Sequence, residues 1–293
     1  MNRRTFIKSS AAATVGGFYL VNAAGCGEGE ERPMEETAQA EAPATGRALE
    51  RIGVQLYTVR SLMEKDVAGT LEQVAAVGYD EVEFAGYYEH SPQEIKALLD
   101  RVGLAAPAVH VGIDILRDDL DGVLDTAQII GHRYVICPWL AEDQRSLDAY
   151  KGHATFFNEV GEQCKAAGIQ FAYHNHDFEF EVTDGQVPYD LLLDETDADL
   201  VQMELDLFWI TKGGHDALAY FERYPGRFSL CHAKDMADGE TMVPVGEGNI
   251  DFGRIFAQSE QAGLVHYFVE HDHPDDPMAS IAASYNHLKA LRF

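Results

Sequence analysis

The feature that most constrains this 293-residue chain is a repeating beat, in which short β-rich runs alternate with amphipathic stretches from residue 49 to the end. The runs are Ile52–Tyr57, Glu81–Phe84, Ala106–His110, Tyr134–Cys137, Gln170–His174, Leu200–Asp206, Phe228–His232 and Tyr267–Glu270. Between them, Leu71, Val74 and Ala75, then Ile95, Leu98, Leu99 and Val102, then Leu120, Leu124, Ala127 and Ile130 recur at helical spacing. Gly78, Gly103, Gly131, Gly168 and Gly263 stand where helices of this kind would end in a left-handed C-cap. Eight strand–helix units at about 31 residues each predict an α/β chain, a (β/α)8 TIM barrel over residues 49–293. A doubly wound sheet has fewer strands, and no Gly-x-Gly-x-x-Gly follows the first run.

The first 48 residues read differently. Residues 1–26 place Arg3 and Arg4 ahead of a weakly apolar run from Ser9 to Ala24, too short and too rich in Ala and Gly for a membrane span. That is the pattern of a twin-arginine export signal. Small residues leading to Cys26 fit lipidation of that cysteine, with plain cleavage nearby or a retained anchor as alternatives; either way the protein is expected to be exported, periplasmic or on the cell surface, and a lipid anchor would be its contact with a membrane. Residues 27–48 carry Glu28, Glu30, Glu31, Glu35, Glu36 and Glu41 among Ala, Pro and Thr, so they read as a disordered acidic linker. Cys137, Cys164 and Cys231 read as buried free thiols.

Charge narrows the partners. With 22 Lys+Arg against 49 Asp+Glu the chain carries −27, a field that repels phosphate backbones, so nucleic acid is excluded as a partner. In a barrel, chemistry collects at the C-terminal strand ends, and here those ends read Tyr173-His174-Asn175-His176, Glu204-Leu205-Asp206, His232-Ala233-Lys234-Asp235 and Glu270-His271-Asp272. Side chains alternate along a strand, so His174 with His176, Glu204 with Asp206, His232 with Lys234 and Glu270 with Asp272 form same-face pairs. Carboxylates crowded into one mouth repel one another unless a cation joins them. Mixed imidazole and carboxylate donors call for one divalent ion, Mn²⁺ first, with Co²⁺, Zn²⁺, Fe²⁺ or Mg²⁺ as alternatives.

These motifs, with Gly53-Val54-Gln55-Leu56-Tyr57 at the first strand and Gly246-Glu247-Gly248-Asn249-Ile250-Asp251-Phe252 after the seventh, resemble the sugar phosphate isomerase/epimerase superfamily. Those are the xylose isomerase-like TIM barrels of the AP endonuclease family 2 type, which include endonuclease IV, inosose dehydratase and ketose 3-epimerases. The resemblance implies metal ligands at Asp206, His232 and Glu270, and a fourth from the fifth strand, where family members carry Glu and this chain has His174. Either His174 is that ligand or Glu204 supplies the oxygen. The glycines of residues 246–252 could cradle a phosphate, but no Lys or Arg lies among them.

Such a site would abstract a proton beside a carbonyl, with His174 or His176 as base, Glu270 as a ligand that also acts, and Lys234 on a substrate oxygen. Gln55, Tyr57, His110, Trp139 and Trp209 read as substrate-binding residues, since aromatics beside polar donors suit the two faces of a sugar ring. An exported enzyme meets unphosphorylated sugars. The expectation is therefore a metal-dependent isomerase, epimerase or lyase acting on a free sugar or a keto-glycoside such as a 3-keto-glycoside. The alternative is a surface-tethered carbohydrate-binding lipoprotein without turnover.

Overall fold

The computed structural model describes residues 46–293, and in it the eight runs close into one parallel barrel. The strands are β1 (Gly53–Gln55), β2 (Glu81–Phe84), β3 (Ala105–His110), β4 (Tyr134–Cys137), β5 (Gln170–His174), β6 (Val201–Asp206) and β7 (Phe228–Ala233). An antiparallel hairpin of β8 (Asp235–Ala237) and β9 (Thr241–Val243) interrupts the pattern before the last barrel strand, β10 (His266–Val269). Strand β10 pairs back onto β1 at Gly53↔Phe268 and Val54↔Val269, which closes the ring and leaves no open edge. The expectations for residues 1–26, for the linker up to residue 45 and for Cys26 lie outside the described residues. Among the described residues no helix is long and apolar enough to cross a membrane.

Local chemistry sets the helix limits. Asp66, Ser91, Asp119, Ser146 and Asp276 each accept a backbone N–H with the side chain at the start of Val67–Val77, Pro92–Val102, Leu120–Ile130, Leu147–Ala166 and Pro277–Ala290. Gly78 ends the first of these in the left-handed region at φ +118, against the ring of Tyr285, where a Cβ would have no room. The apolar stripes read from the sequence are the faces turned to the sheet: Leu71, Val74, Ile95, Leu99, Leu124, Ala127 and Ile130 are all buried.

The barrel interior is stacked in levels. Ala108, Ile136, Ala172, Leu230 and Phe268 form an apolar plug. Two residues further along the strands, the same inward faces carry His110, His174, His232 and Glu270, so the strand period of two delivers polar groups to the C-terminal mouth. The buried free thiols Cys137, Cys164 and Cys231 are where the sequence put them.

Three local departures from the sequence reading have physical causes. The first run is extended only as far as Gln55, because its side-chain oxygen accepts the N–H of Tyr57 and turns Leu56–Val59 into a single 3-10 turn. Gln55 is therefore the last strand residue and Tyr57 lies in the turn beyond it. The last run starts one residue early and stops at Val269, leaving Glu270 just past the strand end. Finally, Arg47, two residues ahead of the expected boundary, already exchanges both backbone hydrogen bonds with Phe293.

His132, buried just after Gly131, shows how the outer packing responds to acid. Its Nδ1 donates to the carbonyl of Ala106 at 2.6 Å, and its Nε2 accepts from the hydroxyl of Tyr87 at 2.9 Å. Burial pushes the imidazole down to about 4, below its ordinary value of 6.5. The unfolded chain binds this proton more readily than the folded one, so the stabilisation is complete above pH 6.5 and is lost as pH falls towards 4. That difference is worth roughly 3 kcal/mol. In urea titrations, His132→Gln should be less stable than the wild type at pH 7 and should lose about that much less between pH 7 and 4; parallel losses would refute the assignment.

Candidate metal centre and its pocket

Four adjacent strands, β5, β6, β7 and β10, bring His174, Asp206, His232 and Glu270 together, and one donor atom from each lies within 4.8 Å of all the others. All four residues are buried. His174 presents Nε2 to Asp206 Oδ2 at 3.4 Å, while its Nδ1 faces the Pro138 carbonyl at 3.1 Å. His232 turns Nδ1 to Glu270 Oε2 at 2.9 Å and lies 3.7 Å from Asp206 Oδ2. Asp206 is fixed from behind: its Oδ1 accepts from Trp209 N at 2.9 Å, and its own N–H donates to Asn175 Oδ1 at 3.0 Å.

A second group lies beside the first and shares His232. His232 Nε2 contacts Glu83 Oε2 at 2.7 Å, His110 Nε2 contacts Glu204 Oε2 at 2.7 Å, and the cross contacts are 3.3 and 3.4 Å. Glu204 therefore belongs with His110 and Glu83, and it is His174 that stands with Asp206, His232 and Glu270. Gln55 points inward as well, donating to Glu83 Oε2 at 2.7 Å, and it does not line the pocket. The second oxygens of Glu83 and Glu204 have no hydrogen-bond partner.

Charge balance explains the arrangement. Burial pushes the Glu83 carboxyl up to about 7, and the neighbouring Glu204 adds to the effect. Burial would raise Glu204 as well, but His232 and His110 outweigh it and hold it below the carboxylate range. Burial would lower His232, but Glu204 and Glu270 outweigh it and hold the imidazole above its ordinary value. Lys234 is as buried as the acids. Its ammonium sits 2.6 Å from Asp272, 2.9 Å from Glu270 and 3.4 Å from Asp206, and these three carboxylates raise it above its ordinary value against the cost of burial. Lys234 is thus an interior cation and not a surface ion pair with Asp235.

Above these groups opens a pocket of about 650 Å³ whose walls include Tyr57, His110, Trp139, His174, His176, Lys234, Glu270 and Asp272. His176 packs against the rings of Phe178 and Trp209, at 5.4 and 5.2 Å between centroids. Burial, reinforced by His174 and Lys234, holds it well below its ordinary value, so it is neutral, and its Nδ1 has no partner. Trp209 stays under the pocket wall, with the Lys234 ammonium 5.0 Å from its ring. The donor set of two imidazole nitrogens and two carboxylate oxygens, buried and convergent beside an open pocket, fits a divalent cation.

Comparison with known proteins agrees with this architecture. The model of the xylose isomerase-like TIM barrel family matches residues 71–291. The chain belongs to that family. Inosose dehydratase of Lacticaseibacillus casei is 26% identical over a 152-residue alignment that covers 45% of this chain, and the chain spans half the length of that relative. A sugar phosphate isomerase/epimerase from Parabacteroides distasonis superposes with a TM-score of 0.71 at 26% identity, over 85% of this chain and 98% of that one. The IolI protein, solved with a zinc atom, has the same fold at a TM-score of 0.67 and 16% identity, over 83% of this chain and 99% of its own.

In this xylose isomerase-like barrel, two fastening residues escaped the sequence reading. Glu179 is fully buried and accepts from the His176 N–H at 2.7 Å and from the Tyr173 hydroxyl, which sets the turn that carries His176. Nothing in Phe178-Glu179-Phe180 announced it, since a Glu between two aromatics in a loop reads as exposed. Asp235 is buried and accepts the N–H groups of Met236, Gly246, Gly248 and Ile250. The glycine loop after β9 is therefore already wrapped around an internal carboxylate rather than offered to a phosphate. Asp235→Ala should speed amide exchange at Gly246, Gly248 and Ile250 and cost about 2–4 kcal/mol. Unchanged protection at those amides would show that the loop does not depend on Asp235.

Proposed function

We propose that this protein is a metal-dependent isomerase, epimerase or lyase that acts on an unphosphorylated sugar or keto-glycoside by removing a proton beside a carbonyl. The observation that carries this reading is the convergence of His174, Asp206, His232 and Glu270 on one point next to a pocket lined by a neutral imidazole, His176. A divalent ion held there, Mn²⁺ first, would act as a Lewis acid on a substrate carbonyl and its neighbouring hydroxyl. Inosose dehydratase and the isomerase/epimerase of the same family support a sugar as substrate.

The roles divide by geometry. His174, with Nδ1 given to Pro138, turns Nε2 towards Asp206 as its ligand atom. His176, whose uncharged imidazole lines the pocket, takes the carbon-bound proton. Lys234 places its ammonium where charge develops on a substrate oxygen. On a 3-keto-glycoside the C2–H bond breaks to His176 and its electron pair forms an enolate with the ketone. Collapse of the enolate makes the C1–C2 double bond, the C1–O bond breaks, and the leaving oxygen takes up a proton. In an isomerase or epimerase the proton returns to carbon or passes to oxygen instead. The twin-arginine pattern at Arg3 and Arg4 supports export and hence an unphosphorylated substrate, since sugar phosphates are retained in the cytoplasm.

Two measurements test this. Chelation should abolish exchange of the substrate α-proton with deuterated water, and Mn²⁺ or Co²⁺ should restore it; a purified protein that binds no divalent ion ends the proposal. Bound sugar with no exchange under any metal would favour a carbohydrate-binding protein without turnover. Separately, His174→Ala should weaken metal binding by 10-fold or more in calorimetry, whereas His176→Asn should keep the metal and lower kcat by roughly 10²–10⁴-fold. Equal metal loss in both variants would contradict the division of roles.

A further inference from the structure

Six large apolar side chains are exposed among the described residues, and three of them, Tyr57, Ile115 and Trp139, surround the mouth of the same pocket. Single exposed apolar residues are ordinary; a cluster around one opening marks a binding surface. Their exposure, 39% for Tyr57, 55% for Ile115 and 48% for Trp139, contrasts with the buried His174, Lys234 and Glu270 deeper in the same pocket. The pocket therefore has a polar floor and a rim in which Tyr57, Ile115 and Trp139 stand beside the exposed His273.

Both aromatic rings are held in place. The Arg60 guanidinium stacks 4.0 Å from the centre of the Tyr57 ring and is tied by 2.7 Å hydrogen bonds to the carbonyls of Tyr57 and Asp272, joining the loops after β1 and β10. The Arg145 guanidinium lies 5.3 Å from the centre of the Trp139 ring and 3.4 Å from that of Phe178, with Nε and Nη2 both bound to the carbonyl of Leu140. Strands β1 and β4 are three positions apart in a ring of eight, so the two rings come from different loops of the mouth and line the same pocket. Platforms fixed in advance lose little side-chain freedom when a ligand arrives. The pocket volume of about 650 Å³ lies in the middle of the range, about 300–1,000 Å³, that encloses drug-sized ligands, and a single hexose is smaller than such ligands.

We propose that Tyr57, Ile115 and Trp139 form a subsite for the non-reacting part of the substrate, which makes the substrate a glycoside rather than a monosaccharide. The group held there presents a flat apolar face, as the C–H face of a second sugar ring or an aryl aglycone does. The inference rests on the reading that the polar floor binds a sugar.

The test compares Trp139→Ala and Tyr57→Ala with the wild type on a 3-keto-disaccharide, a nitrophenyl 3-keto-glucoside and 3-keto-glucose. The ratio of kcat/KM for glycoside over monosaccharide should fall at least 10-fold in each variant, chiefly through KM, and whichever glycoside loses more identifies the preferred group. An unchanged ratio overturns the subsite. A readout that needs no turnover is calorimetric titration with unreactive cellobiose against glucose. Wild-type protein should prefer cellobiose, and Trp139→Ala should abolish the preference. Equal binding of both sugars by the wild type overturns the subsite even if keto-sugars react; a preference that depends on Trp139, without any keto-sugar reaction, supports the subsite while the reaction assigned above fails.

Discussion

Four carboxylates, Glu83, Glu204, Asp206 and Glu270, are buried at the centre of this barrel, and every other feature of the mouth answers the electrostatic problem they create. Isolated charges of this kind cost several kcal/mol each to remove from water. Here each has a cation or an imidazole in contact: Lys234 against Glu270 and Asp206, His232 against Glu270 and Glu83, His110 against Glu204. His232 is the hinge between the two groups, since one ring nitrogen serves each. Its orientation is set on both sides, which leaves Nδ1 directed at Asp206 and Glu270.

The same constraint separates chemistry from support along the barrel axis. The apolar plug of Ala108, Ile136, Ala172, Leu230 and Phe268 closes the barrel interior, so the polar groups can be approached only from the mouth. Around that mouth the loops are tied down by buried polar residues that do not line the pocket: Asn175 joins β5 to β6, Glu179 sets the His176 turn, and Asp235 gathers the loop after β9. Each one satisfies backbone donors that would otherwise be buried without partners, and in doing so each fixes the position of a neighbour that lines the pocket. Removing such a residue would act on the site through displacement of those neighbours, as groups hydrogen-bonded to metal ligands do.

Much of this was legible in the chain. Asp206, His232, Glu270 and Lys234 were identifiable because a strand exposes alternate residues to one face, and residues two apart at the ends of successive strands must share the mouth. Tyr57 and Trp139 line the pocket because they follow the C-terminal ends of β1 and β4, where the loops of the mouth begin. Gln55, Glu204, Glu83 and Asp235 were not identifiable in this way, because spacing gives a side chain its face and not its depth or its partner. Gln55 was diverted inward by Glu83, and the run after it was turned by its own side-chain cap on Tyr57.

By itself the sequence determined the period of the elements, the inward face of each strand and the kind of donor placed at each end, because these follow from backbone geometry that is local to a few residues. Tertiary structure alone decided that His174, and not Glu204, stands beside Asp206, and that Lys234 lies inside the barrel. Closing eight tilted strands sets the stagger between neighbours, and that stagger fixes which donors meet at a given depth; no single segment carries this information.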